Sequence, residues 1–113
     1  MEFSETMVGD ILLIKSNTDS AGISNATDFK SMVFERIESG KNKILVDLSD
    51  VALLDSTFLG ALVVTHRKAV PAGGAVKLFG INESVRTLLG LTKLENVFVF
   101  YNTQEEAIQS FQK

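Results

Sequence analysis

The stretch KILVDLSDVALLDSTFLGALVV, residues 43–64, contains the pattern that decides the fold. Its first part, Ile44–Leu48, is almost continuously apolar, which is typical of a strand buried on both faces of a parallel or mixed sheet. Its last part, Leu59–Val64, is apolar and continues as a helix. The polar residues Asp55–Thr57 lie between the two. The stretch therefore predicts a buried strand that leads through a polar junction into a helix.

The rest of the chain predicts strands and helices in the order ββαβαβαβα. Gly9-Asp10 suits the tight turn of a hairpin, and Ser16–Asn25, rich in serine, asparagine, aspartate and glycine, predicts an exposed loop. The expected elements are strands at about Phe3–Val8 and Ile11–Lys15, a helix from Ser24 or Asn25 to Gly40, a strand at Lys43–Ser49, a helix from the polar junction to about Val70, a strand at Ala75–Gly80, a helix from Asn82 to Gly90, a strand at Val97–Tyr101, and a last helix capped by Thr103 and Glu106. Because strands alternate with helices, we expect a single α/β domain over residues 1–113, with a mixed, mostly parallel sheet flanked by about four helices.

The composition excludes several classes of site and partner. Hydrophobic residues make up 45% of the chain and charged residues 22%, as in a globular domain with a real core. The net charge of -3 argues against nucleic acid or an anionic membrane surface as the main partner. The chain has no cysteine, which excludes disulfides, thiolate zinc sites and a cysteine nucleophile. We find no signal-like start and no apolar run near the roughly 18 residues that span a bilayer, so we expect a cytoplasmic protein without membrane insertion.

The polar junction has two interpretations. Asp55, Ser56 and Thr57 stand where the helix begins, so each can accept a hydrogen bond from a free N–H group as an ordinary helix cap. A hydroxyl there is also a good place for a phosphoryl group, because its charge of roughly -2 meets the positive end of the helix dipole. A partner docked on neutral Ser56 would then be expelled by a dianion beside Asp55. Spacing alone favours the plain cap.

The same residues carry a resemblance to a known family. The strand KILVDLSDVALLDST, the pair Leu59-Gly60 and the downstream AVKLFGINESVRTLLGLTKLENVFVFYNTQEEAI resemble a STAS domain of the anti-sigma-factor antagonist type. The similarity extends from about Ile44 to Phe111. In that family the strand ends in Asp-Ser-Ser or Asp-Ser-Thr followed by Gly-Leu-Gly, and the serine directly after the aspartate is phosphorylated. The resemblance places that phosphorylation on Ser56.

What the resemblance implies is partner switching. The unphosphorylated protein binds an anti-sigma factor that is also a serine kinase, phosphorylation at Ser56 releases it, and a serine phosphatase resets the protein. Thr57 is the cap or a secondary acceptor. The implied partner-binding residues are Asp55, Ser56, Thr57, Phe58 and Gly60. No catalytic residue, cofactor or metal is implied.

Two positions depart from the family pattern. Phe58 stands where the family has the first glycine of its motif, so a large ring either anchors a partner or packs inward. The family also has an aspartate just before the first helix. Gly22 is near that place here, and Asp19 is displaced from it.

The sequence gives an enzyme little support. The one histidine, His66, is ten residues after Ser56, roughly 15 Å along a continuous helix, which is too far for a Ser-His pair. We expect His66 to be structural. The carboxylates Asp47, Asp50 and Asp55 cluster at one strand end, where they suit Mg²⁺ or, more commonly, turns.

Two other functions stay open at this point. The chain could be a STAS assembly subunit of a transporter or signalling complex, not phosphorylated, in which Ser56 is only a cap. A small-ligand-binding or enzymatic α/β protein is the third alternative. A binding module suits the sequence best, because the helix after Ser56 is apolar on nearly all sides of its first two turns.

Overall fold

A computed structural model describes residues 2–93 and 98–112 of the chain, and the strand that follows Asn42 forms the centre of its sheet. The elements are β1 Phe3–Val8, β2 Ile11–Ser16, β3 Ser20–Ala21, α1 Ile23–Glu38, β4 Lys43–Asp47, β5 Leu53–Leu54, α2 Ser56–Ala69, a 3₁₀ turn Val70–Ala72, β6 Ala75–Phe79, α3 Glu83–Leu91, β7 Phe100–Tyr101 and α4 Gln104–Phe111. The main sheet has the order β1-β2-β4-β6-β7. Strand β1 is antiparallel to β2, and the other neighbours are parallel. The predicted α/β fold with a mixed, mostly parallel sheet and four helices is confirmed.

The sheet separates two apolar layers, and β4 contributes to both. Ile44 and Val46 belong to the larger layer, which is shared with α1, α2 and α3. Leu45 belongs to the smaller layer, which α4 covers through Ala107. All three β4 side chains are fully buried. Burial on both faces of β4 therefore explains its almost continuous apolar run, as the sequence predicts.

Most element ends follow local signals. Gly9 has a φ of 63° in the turn between β1 and β2, and Gly40 has a φ of 97° just after α1, conformations that favour glycine. The Asn82 carboxamide oxygen accepts from the N–H of Val85, 2.8 Å away, and so caps α3. The Thr103 hydroxyl accepts from the N–H of Glu106 at 3.2 Å and caps α4. These predicted caps are confirmed.

The prediction of an exposed loop at Ser16–Asn25 was wrong in part. Strand β3 pairs in parallel with β5 as a separate two-stranded sheet, and both Ala21 and Asn25 are buried. Helix α1 also begins at Ile23, before the predicted start. Local composition cannot show this pairing, because the partner strand lies about thirty residues further along the chain. The last predicted strand is present only at its end, and its first residue, Val97, lies outside the described residues.

Candidate functional site

The small sheet of β3 and β5 brings the starts of α1 and α2 together. The N–H of Asp55 donates to the carbonyl oxygen of Ala21 at 2.9 Å, which continues the pairing of the two strands up to the helix ends. Each strand passes directly into a helix, so the two helix N-termini lie side by side. The polar junction found in the sequence is therefore half of a site, and the segment before α1 supplies the other half.

Asp55 caps both helices with one carboxylate. Its Oδ1 accepts from the N–H of Phe58 in the first turn of α2 at 3.0 Å. Its Oδ2 accepts from the N–H of Ile23, the first residue of α1, at 3.2 Å. The N-termini of α1 and α2 both stabilise the negative carboxylate, because their free N–H groups and the positive ends of their dipoles face it. The capping role that was also open to Ser56 and Thr57 belongs to Asp55.

Gly22 makes room for this shared cap. Its φ of -162° is extended backbone that any residue adopts, so its conformation does not require glycine. Space does, since a Cβ on Gly22 would stand 2.3 Å from Oδ2 of Asp55. An oxygen of Asp55 therefore lies at the start of α1, close to the place where the family resemblance implies a separate aspartate. Sequence reasoning missed this role, because 32 residues separate Ile23 from Asp55.

Ser56 and Thr57 are exposed on the first turn of α2. Within residues 2–93 and 98–112, neither hydroxyl makes a hydrogen bond to another protein group. The two hydroxyls therefore add no hydrogen bond to the fold, and a group added to the Ser56 oxygen meets solvent beside the Asp55 carboxylate. Asp55, Ser56 and Thr57 are all exposed at the start of α2.

Phe58 points away from this surface. Its ring has no exposed area and packs against Phe29 of α1 at 4.9 Å and Phe3 of β1 at 6.2 Å between ring centroids. A fully buried side chain cannot contact a partner, so its inclusion among the partner-binding residues is corrected. The alternative that the ring packs inward is the right one, because α2 turns this position toward α1 and the sheet.

A groove runs between α1 and α2 next to Thr57. Its volume is about 240 Å³, and it is lined by Ala26, Thr27 and Lys30 from α1 and by Thr57, Gly60, Ala61 and Val64 from α2. Gly60 is exposed there. Two large apolar side chains near Asp55 are also exposed, Ile23 at 77% and Leu53 at 69%. Apolar groups therefore accompany the polar junction at the surface.

His66 has a structural role in the C-terminal half of α2. Its Nδ1 accepts from the N–H of Val76 at 3.1 Å, and its ring lies 5.5 Å from that of Phe98. Burial lowers the pKa of His66 below its usual value of 6.5. Because α2 is continuous from Ser56 to Ala69, the geometry excludes a catalytic pair of Ser56 and His66, as the sequence predicts.

The clustered aspartates serve separate partners. Asp47 accepts from the N–H of Ser49 at 2.9 Å, Asp50 forms an ion pair with Lys15 at 3.3 Å, and Asp55 caps the two helices. Among the described residues, no group of three or more His, Cys, Asp or Glu side chains is placed to hold a metal ion. In the same part of the chain, no helix combines the length and apolar character that crossing a membrane requires.

Comparison with known proteins finds relatives along nearly the whole chain. The STAS domain family matches residues 18–107. A candidate anti-sigma factor antagonist of Thermotoga neapolitana is 35% identical over 111 residues, 97% of this chain and 97% of the relative. The crystal structure of a candidate anti-sigma factor antagonist from Thermotoga maritima has a TM-score of 0.89 at 33% identity, covering 98% of this chain and 95% of that one. The Bacillus cell fate determinant SpoIIAA in its phosphorylated form shares the fold, with a TM-score of 0.74 at 18% identity over 96% of this chain and 97% of that one.

Proposed function

We propose that this chain, which belongs to the STAS domain family, is an anti-sigma-factor antagonist that acts by partner switching at Ser56. Unphosphorylated, it binds an anti-sigma factor that is also a serine kinase, and phosphorylation of Ser56 by that kinase releases it. A serine phosphatase restores the binding form. The family and the two Thermotoga relatives support the role of antagonist. The phosphorylation, the kinase and the phosphatase are our proposal.

The observation that carries this proposal is the exposed hydroxyl of Ser56 at a helix start whose cap is already occupied. Asp55 satisfies N–H groups of α1 and α2 with its own oxygens. Ser56 is therefore not needed as a cap, which removes the main structural explanation for its hydroxyl. A kinase can approach it from solvent without unfolding the helix.

Charge explains how a phosphate would release the partner while leaving the fold intact. The roughly two negative charges of a phosphate on Ser56 would lie near the starts of α1 and α2, where the positive ends of both helix dipoles stabilise the phosphate. A partner that packs on the neutral surface meets a bulky dianion beside the Asp55 carboxylate, and repulsion and desolvation oppose its binding. The switch therefore acts on association and leaves folding almost unchanged.

The proposal is tested by incubating the chain with the anti-sigma serine kinase of its host and ATP. We expect one added phosphate by intact-mass measurement, located on Ser56 by peptide mapping. Ser56→Ala should prevent the addition, and Thr57→Ala should leave it in place. Phosphate on another residue, or none, would contradict the proposal.

A charge variant tests the release step separately. Ser56→Asp should weaken kinase binding while its far-UV circular dichroism and melting temperature stay close to those of the parent. The matched control is Ser84→Asp, which places the same charge in the first turn of α3 at another exposed serine. If both variants bind the kinase like the parent, an electrostatic switch at Ser56 is excluded.

A further inference from the structure

The groove between α1 and α2 contains a glycine that the fold does not need. Gly60 lies inside α2, and a Cβ built on it has no atom within 4 Å apart from its own local helix. Its backbone is not in the left-handed region that favours glycine. Glycine inside an exposed helix is less stable than alanine. The open space above Gly60 therefore has no explanation within the described chain.

The groove is shaped for part of a protein. Its floor is made of small residues, because Ala26 and Ala61 are buried beside Gly60. Val64, 43% exposed, adds an apolar wall. At about 240 Å³ the groove is below the roughly 300–1,000 Å³ of typical small-molecule pockets. An apolar side chain carried by a partner segment suits this size and lining.

Lys30 gives the groove its charge. It is the one charged residue of the lining, and it is exposed. In the described part of the chain, Lys30 is in none of the four ion pairs, which join Lys15 to Asp50, Arg36 to Glu5 and Glu35, and Lys43 to Asp10. A cation beside an open apolar floor is complementary to an acidic group next to an apolar side chain.

We propose that this groove binds an acidic segment of the anti-sigma partner, with an apolar side chain over Gly60 and a carboxylate at Lys30. The inference rests on the proposed function, because the partner is the one released at Ser56. Thr57, the neighbour of Ser56, lines the same groove. A phosphate on Ser56 then lies at the edge of the segment's binding site and repels its acidic group.

Two variants test the groove against matched controls in titrations with the host's anti-sigma serine kinase. Lys30→Glu reverses the groove charge, and Lys41→Glu makes the same change at an exposed lysine outside the groove. Gly60→Leu fills the groove, and Thr87→Leu adds the same side chain to an exposed position of α3. We expect each groove variant to weaken binding about tenfold or more, and each control to bind like the parent. Gly60→Ala checks folding, since it should raise the melting temperature by about 3 °C.

The outcomes separate the groove from the switch. If Ser56→Asp releases the kinase while Lys30→Glu and Gly60→Leu bind like the parent, the groove inference is overturned and the proposed function stands. If the groove variants weaken binding but Ser56→Asp does not, the groove stands and the switch fails. A parent chain that does not bind the kinase overturns both. A parent that dimerises in sedimentation, with Gly60→Leu monomeric, assigns the groove to a second copy and also overturns the inference.

Discussion

Replacing Phe58 with alanine is expected to destabilise the fold strongly and to have no separate effect on partner binding. The ring has no exposed area and lies 4.9 Å from the ring of Phe29 and 6.2 Å from that of Phe3. It therefore joins α2 to both α1 and β1. Truncation of a buried phenylalanine costs about 3–5 kcal/mol, because apolar contact is lost and a cavity remains. At roughly 4 °C per kcal/mol for a domain of this size, the melting temperature should fall by about 12–20 °C.

The assay is thermal and urea unfolding followed by circular dichroism, with the parent and Leu53→Ala measured beside Phe58→Ala. Leu53 is apolar and 69% exposed, so its truncation should change the free energy of unfolding by less than about 0.5 kcal/mol. Kinase binding is measured at a temperature where each variant is folded. If Phe58→Ala melts within about 2 °C of the parent yet loses binding, the ring contacts a partner and does not stabilise the core.

Three further predictions concern the shared cap and the histidine. Asp55→Ala should lower the free energy of unfolding, measured in urea, by about 2 kcal/mol. One carboxylate caps both helices, and a single cap contributes about 1 kcal/mol. A loss below about 0.5 kcal/mol would contradict a shared cap. Gly22→Ala should destabilise the fold although the φ of residue 22 suits alanine, because the new Cβ would stand 2.3 Å from Oδ2 of Asp55. A melting temperature equal to or above that of the parent would contradict this. Burial lowers the pKa of His66, so His66 binds a proton more readily in the unfolded chain than in the folded one. The free energy of unfolding should therefore fall as the pH drops from about 6.5 through the lowered pKa of the folded protein. His66→Gln should remove that part of the pH dependence of the melting temperature, and an unchanged profile would assign it to other groups.

Local patterns were sufficient to place β1, β2, β4 and β6 of the main sheet and most helix ends. The apolar run of β4 predicts burial on both faces, and Asn82 and Thr103 cap helices that begin within a few residues of them. In each case the residues that interact are neighbours in sequence, or the pattern repeats within one element. Such signals are readable without knowing how distant segments pack.

The candidate site was only half predictable, because its other half comes from a distant segment. The sequence identifies Asp55 and Ser56 at a helix start, but the bond from Ile23 to Asp55 joins residues 32 positions apart. The need for glycine at residue 22 follows from that contact and has no local signal. Phe58 shows the same limit, since the first turns of α2 are apolar on nearly all sides and its direction depends on where α1 packs.

Control of partner binding by phosphate on Ser56 is measured by comparing the affinities of two forms of the same chain. Isothermal titration calorimetry with the host's anti-sigma serine kinase is performed on the unphosphorylated chain and on the chain phosphorylated only at Ser56. We predict that the phosphorylated form binds about tenfold to a hundredfold more weakly while its melting temperature stays close to that of the unphosphorylated form. Equal affinities of the two forms would show that phosphate on Ser56 does not control binding.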